Sequence, residues 1–151
     1  MKIWMARVIC AGLVLALSLD AAYADDSAGT VKSVKGDVSI VRAGALIKAF
    51  AGLKLMAEDK IITGSGGSVG ITLQDATLLS FGPKSSSQLK EFRYDPVKRD
   101  GNLLISLLKG SMRFVTGQLG KLNPASVAIV LPTATLGVRG TDFIVSVEGG
   151  S

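Results

Sequence analysis

Apolar and polar residues alternate along most of the chain in short runs of the kind that form half-buried β-strands. The two-residue period is clear in residues 69–73, 127–131 and 143–147. Side chains at this period point alternately to the two faces of a sheet, so each run predicts a strand with one buried face. Beyond the N-terminus, no stretch of ten or more residues carries the 3.6-residue period of an amphipathic helix.

Stretches rich in glycine, aspartate and serine separate these runs and predict turns. The predicted turns are 35–37, Gly44, Gly52, 64–68, Gly82-Pro83 and 100–102. Residues 103–108 are almost continuously apolar, and the turn signals on both sides favour a strand over a short buried helix. The apolar residues of 43–57 follow neither the two-residue period of a strand nor the 3.6-residue period of a helix. The spacing predicts an all-β fold of about 9–12 short strands, either a compact sandwich or a short solenoid-like arrangement.

The N-terminus has the three-part layout of a secretory signal peptide. Lys2 and Arg7 accompany an apolar run over 8–19, and Ala22-Tyr23-Ala24 places small residues where signal peptidase cuts. The run is shorter than the roughly 20 residues of a spanning helix, which favours cleavage over a retained anchor. We expect a signal peptide over 1–24, cleaved after Ala24, and a periplasmic domain over 25–151 with no stable membrane span.

The composition narrows the chemistry of this domain. The chain has no histidine, and its single cysteine and single tryptophan, Cys10 and Trp4, lie in the predicted signal peptide. After cleavage, a cysteine nucleophile, a Ser-His-Asp triad and a His or Cys zinc site are all excluded. Carboxylates remain, but no acidic pair stands out as a general acid and base. We therefore predict no catalytic residue, metal or cofactor; a carboxylate-based hydrolase is a remote alternative.

Aromatic and basic residues are interleaved between Lys84 and Arg99. Within this stretch Phe92, Arg93 and Tyr94 form a candidate ligand surface, because aromatic and arginine side chains are enriched at interaction hot spots. The same composition can bind nucleic acid, but an exported domain seldom meets any, so we predict none. A solvated loop is the favoured interpretation of this basic stretch, and an anionic envelope surface is the alternative. For Phe92, packing in the core competes equally with an exposed aromatic contact.

The most distinctive local feature is the segment LPTATLGVRGTDF, residues 131–143. Pro132 ends one predicted strand, and Gly137 and Gly140 give the backbone freedom on either side of Arg139. This segment resembles the signature of the FecR domain family, the periplasmic portion of regulators that respond to outer-membrane siderophore receptors. We call residues 131–143 the signature segment.

The resemblance extends over most of the chain after the predicted signal peptide. Residues 29–38 resemble the opening strands of the family, 55–64 its segment ending in a Thr-Gly turn, and 108–117 a later strand. Asp75-Ala76-Thr77 stands where the family usually has Asp-Gly-Ser or Asp-Gly-Thr. Alanine in place of glycine at 76 argues against a left-handed turn there.

The resemblance implies a free-standing, non-enzymatic interaction or sensory module. Its partner would be a periplasmic or outer-membrane protein, or an anionic component of the envelope. A carbohydrate- or cell-wall-binding module is the alternative. The residues that the resemblance marks as structural or interfacial are Thr63, Gly64, Asp75, Pro132, Gly137, Val138, Arg139, Gly140 and Thr141.

Two roles remain open for Arg139. An ion pair with Asp59, Asp75 or Asp142 would hold the corner of the fold, and this structural role is the favoured interpretation. Alternatively, the planar guanidinium would contact a carboxylate or phosphate of a partner.

Overall fold

The computed structural model describes residues 26–140 and 142–148. The predicted signal peptide and Thr141 lie outside this part of the chain. The described residues form twelve strands, which confirms the predicted all-β class. The strands are β1 (Gly29–Lys35), β2 (Val38–Arg42), β3 (Ala45–Lys48), β4 (Lys54–Leu55), β5 (Lys60–Thr63), β6 (Ser68–Leu73), β7 (Leu78–Phe81), β8 (Ser86–Asp95), β9 (Asp100–Val115), β10 (Val127–Val130), β11 (Thr135–Gly137) and β12 (Asp142–Val147). A short helix, α1 (Gln118–Leu122), and a 3₁₀ turn (Pro124–Ser126) connect β9 to β10.

The longest strand, β9, belongs to two sheets and joins them into one curled half-barrel. Its first part pairs with β8 and β10, in the order β3-β2-β5-β8-β9-β10-β11. Its last part pairs with β7 and β12, in the order β4-β1-β6-β7-β9-β12. All of these pairs are antiparallel except that of β9 with β10, which is parallel.

The hydrophobic core lies on the inner side of the curled sheet. Leu103, Ile105 and Leu107 from the first part of β9 and Met112 and Phe114 from its last part are all at most 1 % exposed. The buried apolar side chains are at odd-numbered positions in the first part of β9 and at even-numbered positions in its last part. The two parts meet at Gly110, whose φ is +90°. A side chain at this glycine would overlap Ser85. The hydroxyl of Ser85 accepts a hydrogen bond from the Ser111 N–H at 3.1 Å, which ties the bend of β9 to the start of β8.

The turn predicted at 100–102 is wrong, because these residues lie inside β9. The β8–β9 hairpin instead turns over residues 96–99, where Asp95 accepts hydrogen bonds from the N–H groups of Val97 and Lys98. Gly101 is needed for a different reason, since a side chain there would overlap the carbonyl of Arg93 on β8. A glycine inside a strand marks close backbone approach as readily as it marks a turn.

Residues 43–57, which fit neither period, contain a tight hairpin and a crossing between the sheets. Ala43 and Gly44 both have positive φ, 50° and 80°, as a two-residue hairpin turn of the primed type requires. The chain then leaves β3 and reaches β4 on the other sheet. Helix α1 has only five residues, too few to produce a periodic signal. No helix among the described residues is long and apolar enough to cross a membrane.

We expect Gly110→Ala to lower the free energy of unfolding by about 2–4 kcal/mol, because alanine is strained at positive φ and its methyl group meets Ser85. Gly66→Ala is the matched control, since no atom lies within 4 Å of an added Cβ and its φ is not positive. Urea denaturation of both variants measures the difference. Equal free energies of unfolding for Gly110→Ala and Gly66→Ala would contradict the requirement for glycine at the bend of β9.

Candidate functional site

The described residues of the signature segment form the open edge of the sheet that contains β10 and β11, and they lead to β12 in the other sheet. The turn Pro132-Thr133 is exposed and joins β10 to β11. The N–H of Leu131 donates to the carbonyl of Ala134 at 2.7 Å and closes this turn. Residues 138–140 then lead to β12, which pairs with the last part of β9. The segment therefore borders both sheets.

Strand β11 is an edge strand, since β10 is its only partner among the described residues. Leu131 and Ala134 form a hydrogen-bonded pair, and the register continues Val130 to Thr135, Ile129 to Leu136 and Ala128 to Gly137. Hydrogen-bonded and non-bonded pairs alternate along an antiparallel ladder. Leu136 therefore bonds to β10, and the backbone N–H and C=O groups of Thr135 and Gly137 point away from it, towards the open side.

Val138 and Arg139 are neighbours with opposite surroundings. Val138 is 2 % exposed and anchors the segment in the core. Arg139 is exposed, and its side chain has no hydrogen-bond or ion-pair partner among the described residues. Gly140 follows with a φ of +155°, and its carbonyl accepts a hydrogen bond from the Thr116 hydroxyl at 2.6 Å. The segment is thus fixed on both sides of an arginine that is itself unconstrained by described neighbours.

The three acidic residues predicted as internal partners of Arg139 are all engaged elsewhere. Asp59 and Asp142 form ion pairs with other arginines. Asp75 is buried and accepts hydrogen bonds from backbone and hydroxyl groups. The geometry of the described residues therefore does not support an internal ion pair for Arg139.

Asp59 pairs with Arg42, an arginine that no sequence pattern indicates as a functional residue. Nε and Nη2 of Arg42 donate to the two carboxylate oxygens of Asp59 at 2.9 and 2.7 Å, and the N–H of Met56 donates to the same group at 2.8 Å. Asp59 is 1 % exposed. Hydrogen bonding to Asp59 raises the pKa of Arg42 above its ordinary value. The pair secures the start of β5 against the end of β2.

Asp142 pairs with Arg113 on the outer surface of β12 and β9. The guanidinium donates Nε–H and Nη2–H to the carboxylate at 3.0 and 2.6 Å. These hydrogen bonds lower the pKa of Asp142 and raise that of Arg113. A carboxyl group whose pKa is lowered by folding favours the folded state above its unfolded pKa, and this contribution disappears as acid protonates the group. Both side chains are exposed, so the contribution is small.

Asp75 lies at the corner where β6 turns towards β7 and where α1 begins. Its carboxylate accepts hydrogen bonds from the Thr77 N–H at 3.1 Å, the Thr77 hydroxyl at 2.8 Å and the Leu119 N–H at 3.2 Å. Ala76 has a φ of +68°, so the prediction that alanine disfavours a left-handed turn at this position is wrong. The bonds that surround Ala76 hold the backbone in this conformation despite the lack of glycine.

Thr63 and Gly64 tie together two loops at the end of β5. The Thr63 hydroxyl donates to the carbonyl of Gly82 at 2.6 Å and accepts from the N–H of Ser85 at 2.8 Å. The N–H of Gly64 donates to the carbonyl of Asp37 at 2.9 Å. Thr63 is 4 % exposed. Both residues hold the fold together and present no side chain to a ligand.

A cleft of about 570 Å³ lies beside Arg139. Its lining residues are Asn123, Pro124, Ala125, Gly137, Val138 and Arg139. Arg139 is the charged member of this set, and no carboxylate among the described residues lines the cleft. The cleft therefore combines a mostly apolar wall with an arginine that no acid neutralises.

Phe92 and Tyr94 are half-buried and pack against the core, whereas Arg93 is exposed and pairs with Asp100 at 3.4 Å. All three line a second cleft of about 400 Å³. The other residues of that cleft are Asp26, Ser27, Gln74 and Pro96. The two aromatic side chains point to the inner side of β8 and do not form an exposed platform.

Among the described residues, no group of three or more acidic, histidine or cysteine side chains is placed to hold a metal ion. The carboxylates of Asp59, Asp75 and Asp142 have different hydrogen-bond partners: Arg42 and Met56 for Asp59, Thr77 and Leu119 for Asp75, and Arg113 for Asp142.

Comparison with known proteins assigns the sequence of this chain to a family. The sequence model of the family described as FecR protein matches residues 59–151, more than half of the chain and the whole signature segment. No curated protein and no solved structure matches the chain.

We expect Asp75→Ala to lower the free energy of unfolding by about 2–4 kcal/mol, because the N–H groups of Thr77 and Leu119 lose a buried acceptor. Asp95→Ala is the matched control, since Asp95 also accepts two backbone N–H groups but in an exposed turn. Thermal or urea unfolding measures both. If Asp75→Ala lowers the free energy of unfolding no more than Asp95→Ala does, Asp75 does not stabilise the corner between β6 and α1.

Proposed function

Since the chain belongs to the FecR family of periplasmic signalling and regulatory modules, we propose that it binds a protein partner and performs no chemistry of its own. The partner is a periplasmic or outer-membrane protein. It binds at the signature segment, and Arg139 provides the main polar contact.

The observation that carries this proposal is the isolation of Arg139. A guanidinium offers five N–H donors in a rigid fork that matches a carboxylate. Here the fork is exposed, and the three acids considered as its internal partners are bound to Arg42, to Arg113, or to backbone and hydroxyl groups. An arginine held by a fixed segment and left unpaired is ready to bind a group from outside the chain.

The periplasmic location in this proposal rests on two supports. The family is associated with the envelope, and the N-terminus has the layout of a signal peptide with a cleavage site after Ala24. The working form would then be residues 25–151 as one domain. Thr141 belongs to the proposed binding segment and lies outside the described residues.

A carbohydrate-binding role is the second candidate, and the cleft at Phe92 and Tyr94 is the observation in its favour. Aromatic rings and planar polar groups such as Gln74 and Asp26 are suited to sugar hydroxyls and ring faces. The half-buried rings pack on the core, which leaves less of each face for stacking. Binding of an anionic envelope component would instead use the unpaired cation at Arg139.

The proposal predicts that Arg139→Ala lowers the recovery of a specific envelope protein in affinity capture by about tenfold, the loss expected for one charged hydrogen-bonded contact. The full chain is produced with its signal sequence and immobilised through a C-terminal tag. Lys98→Ala is the matched control, because it removes an exposed cation from the β8–β9 turn. Quantitative mass spectrometry compares the captured proteins.

Unfolding measurements on the same variants separate the two roles of Arg139. An interfacial arginine leaves the free energy of unfolding within about 0.5 kcal/mol of the wild-type value, as is usual for surface substitutions. Equal capture by wild type and Arg139→Ala would contradict the proposal. A stability loss above that range would instead favour the structural role.

A further inference from the structure

We propose that the partner adds an extended strand to the open edge of β11 and places a carboxylate on Arg139. This inference rests on the proposed function and specifies the chemistry of the partner. The occupant is a segment of another protein in which apolar residues alternate with polar ones and one polar position is Glu or Asp.

The first support is the backbone of β11. The N–H and C=O groups of Thr135 and Gly137 point away from β10, and no described residue pairs with them. Unpaired groups along a strand edge are a template for another strand, and peptide recognition by strand addition uses such edges. Arg139 follows this edge directly, so a strand bound along β11 extends past the guanidinium.

The second support is the cleft next to this edge. Pro124, Ala125 and Val138 give it an apolar wall, and the absence of a side chain at Gly137 keeps it open. No atom lies within 4 Å of a Cβ added at Gly137, and its φ is not positive, so internal packing does not require glycine there. An apolar side chain of the added strand fits this space.

The third support is charge. Arg139 is a cation at the rim of a cleft whose described lining contains no carboxylate. A charge-assisted, bidentate contact with a carboxylate therefore has no internal competitor in the described residues. This selects an acidic strand over a neutral or basic one.

A second copy of this chain fits the edge less well than a different protein. The edge strand β3 carries Lys48 and no acid, and β4 has only two residues. Strand β12 carries Asp142, but that carboxylate is already held by Arg113. None of these strands offers a free carboxylate to Arg139.

The test uses the full chain and labelled heptapeptides in which valine and threonine alternate around one central residue. In fluorescence polarisation, the peptide with a central glutamate should bind at least about tenfold more tightly than the same peptide with lysine. Arg139→Ala should remove most of this preference, and Gly137→Val should weaken binding because its side chain fills the cleft. Gly66→Val, at another glycine with open space beside it, is the matched control.

Backbone N-methylation separates strand addition from simple charge contact. A strand bonds to its neighbour through alternate residues, so methylation of one alternate set should abolish binding and methylation of the other should leave it unchanged. Equal effects of the two sets, or equal binding of the glutamate and lysine peptides, would overturn the inference. So would self-association of the chain that depends on Arg139, measured by sedimentation.

Failure of this inference can be told apart from failure of the proposed function. If no glutamate peptide binds but Arg139→Ala still reduces capture of an envelope protein, strand addition is overturned and the proposed function stands. If capture is also independent of Arg139, both are overturned.

Discussion

The pairing of β9 with four other strands is the constraint on which the rest of the molecule depends. Because its first part bonds to β8 and β10 and its last part to β7 and β12, one chain segment supplies the centre of both sheets. Its buried side chains change face at Gly110, where positive φ and close contact with Ser85 admit only glycine. The curl of the sheet, and hence the position of the core, follows from that bend.

Two buried acids hold other loops of the fold in place through contacts within the chain. Asp75 binds the start of α1, and Asp59 binds Arg42. Both carboxylates are buried, so their partners must be supplied from within the chain. Arg139 lies outside this network. Because these acids are engaged by other groups, neither of them pairs with this cation of the signature segment.

The sequence predicted the strands whose one face is buried, such as β6 and β12, because alternation follows directly from burial on one side of a sheet. It could not predict the length of β9, since Gly101 serves close strand approach and resembles a turn signal. Nor could it assign Arg42 to Asp59 or Arg113 to Asp142, because those pairs depend on strand register. For Arg139, composition offered three acidic partners, and only the spatial arrangement showed that each is engaged elsewhere.

The most direct test of this account is amide hydrogen exchange along β11. Leu136 bonds to β10, so its amide should exchange slowly, whereas the amides of Thr135 and Gly137 point to the open edge and should exchange fast. Two-dimensional NMR of the free chain resolves the three amides. Slow exchange at Leu136 with fast exchange on both sides is the predicted result. Comparable protection at all three would show that the edge is already covered, and would contradict the central claim.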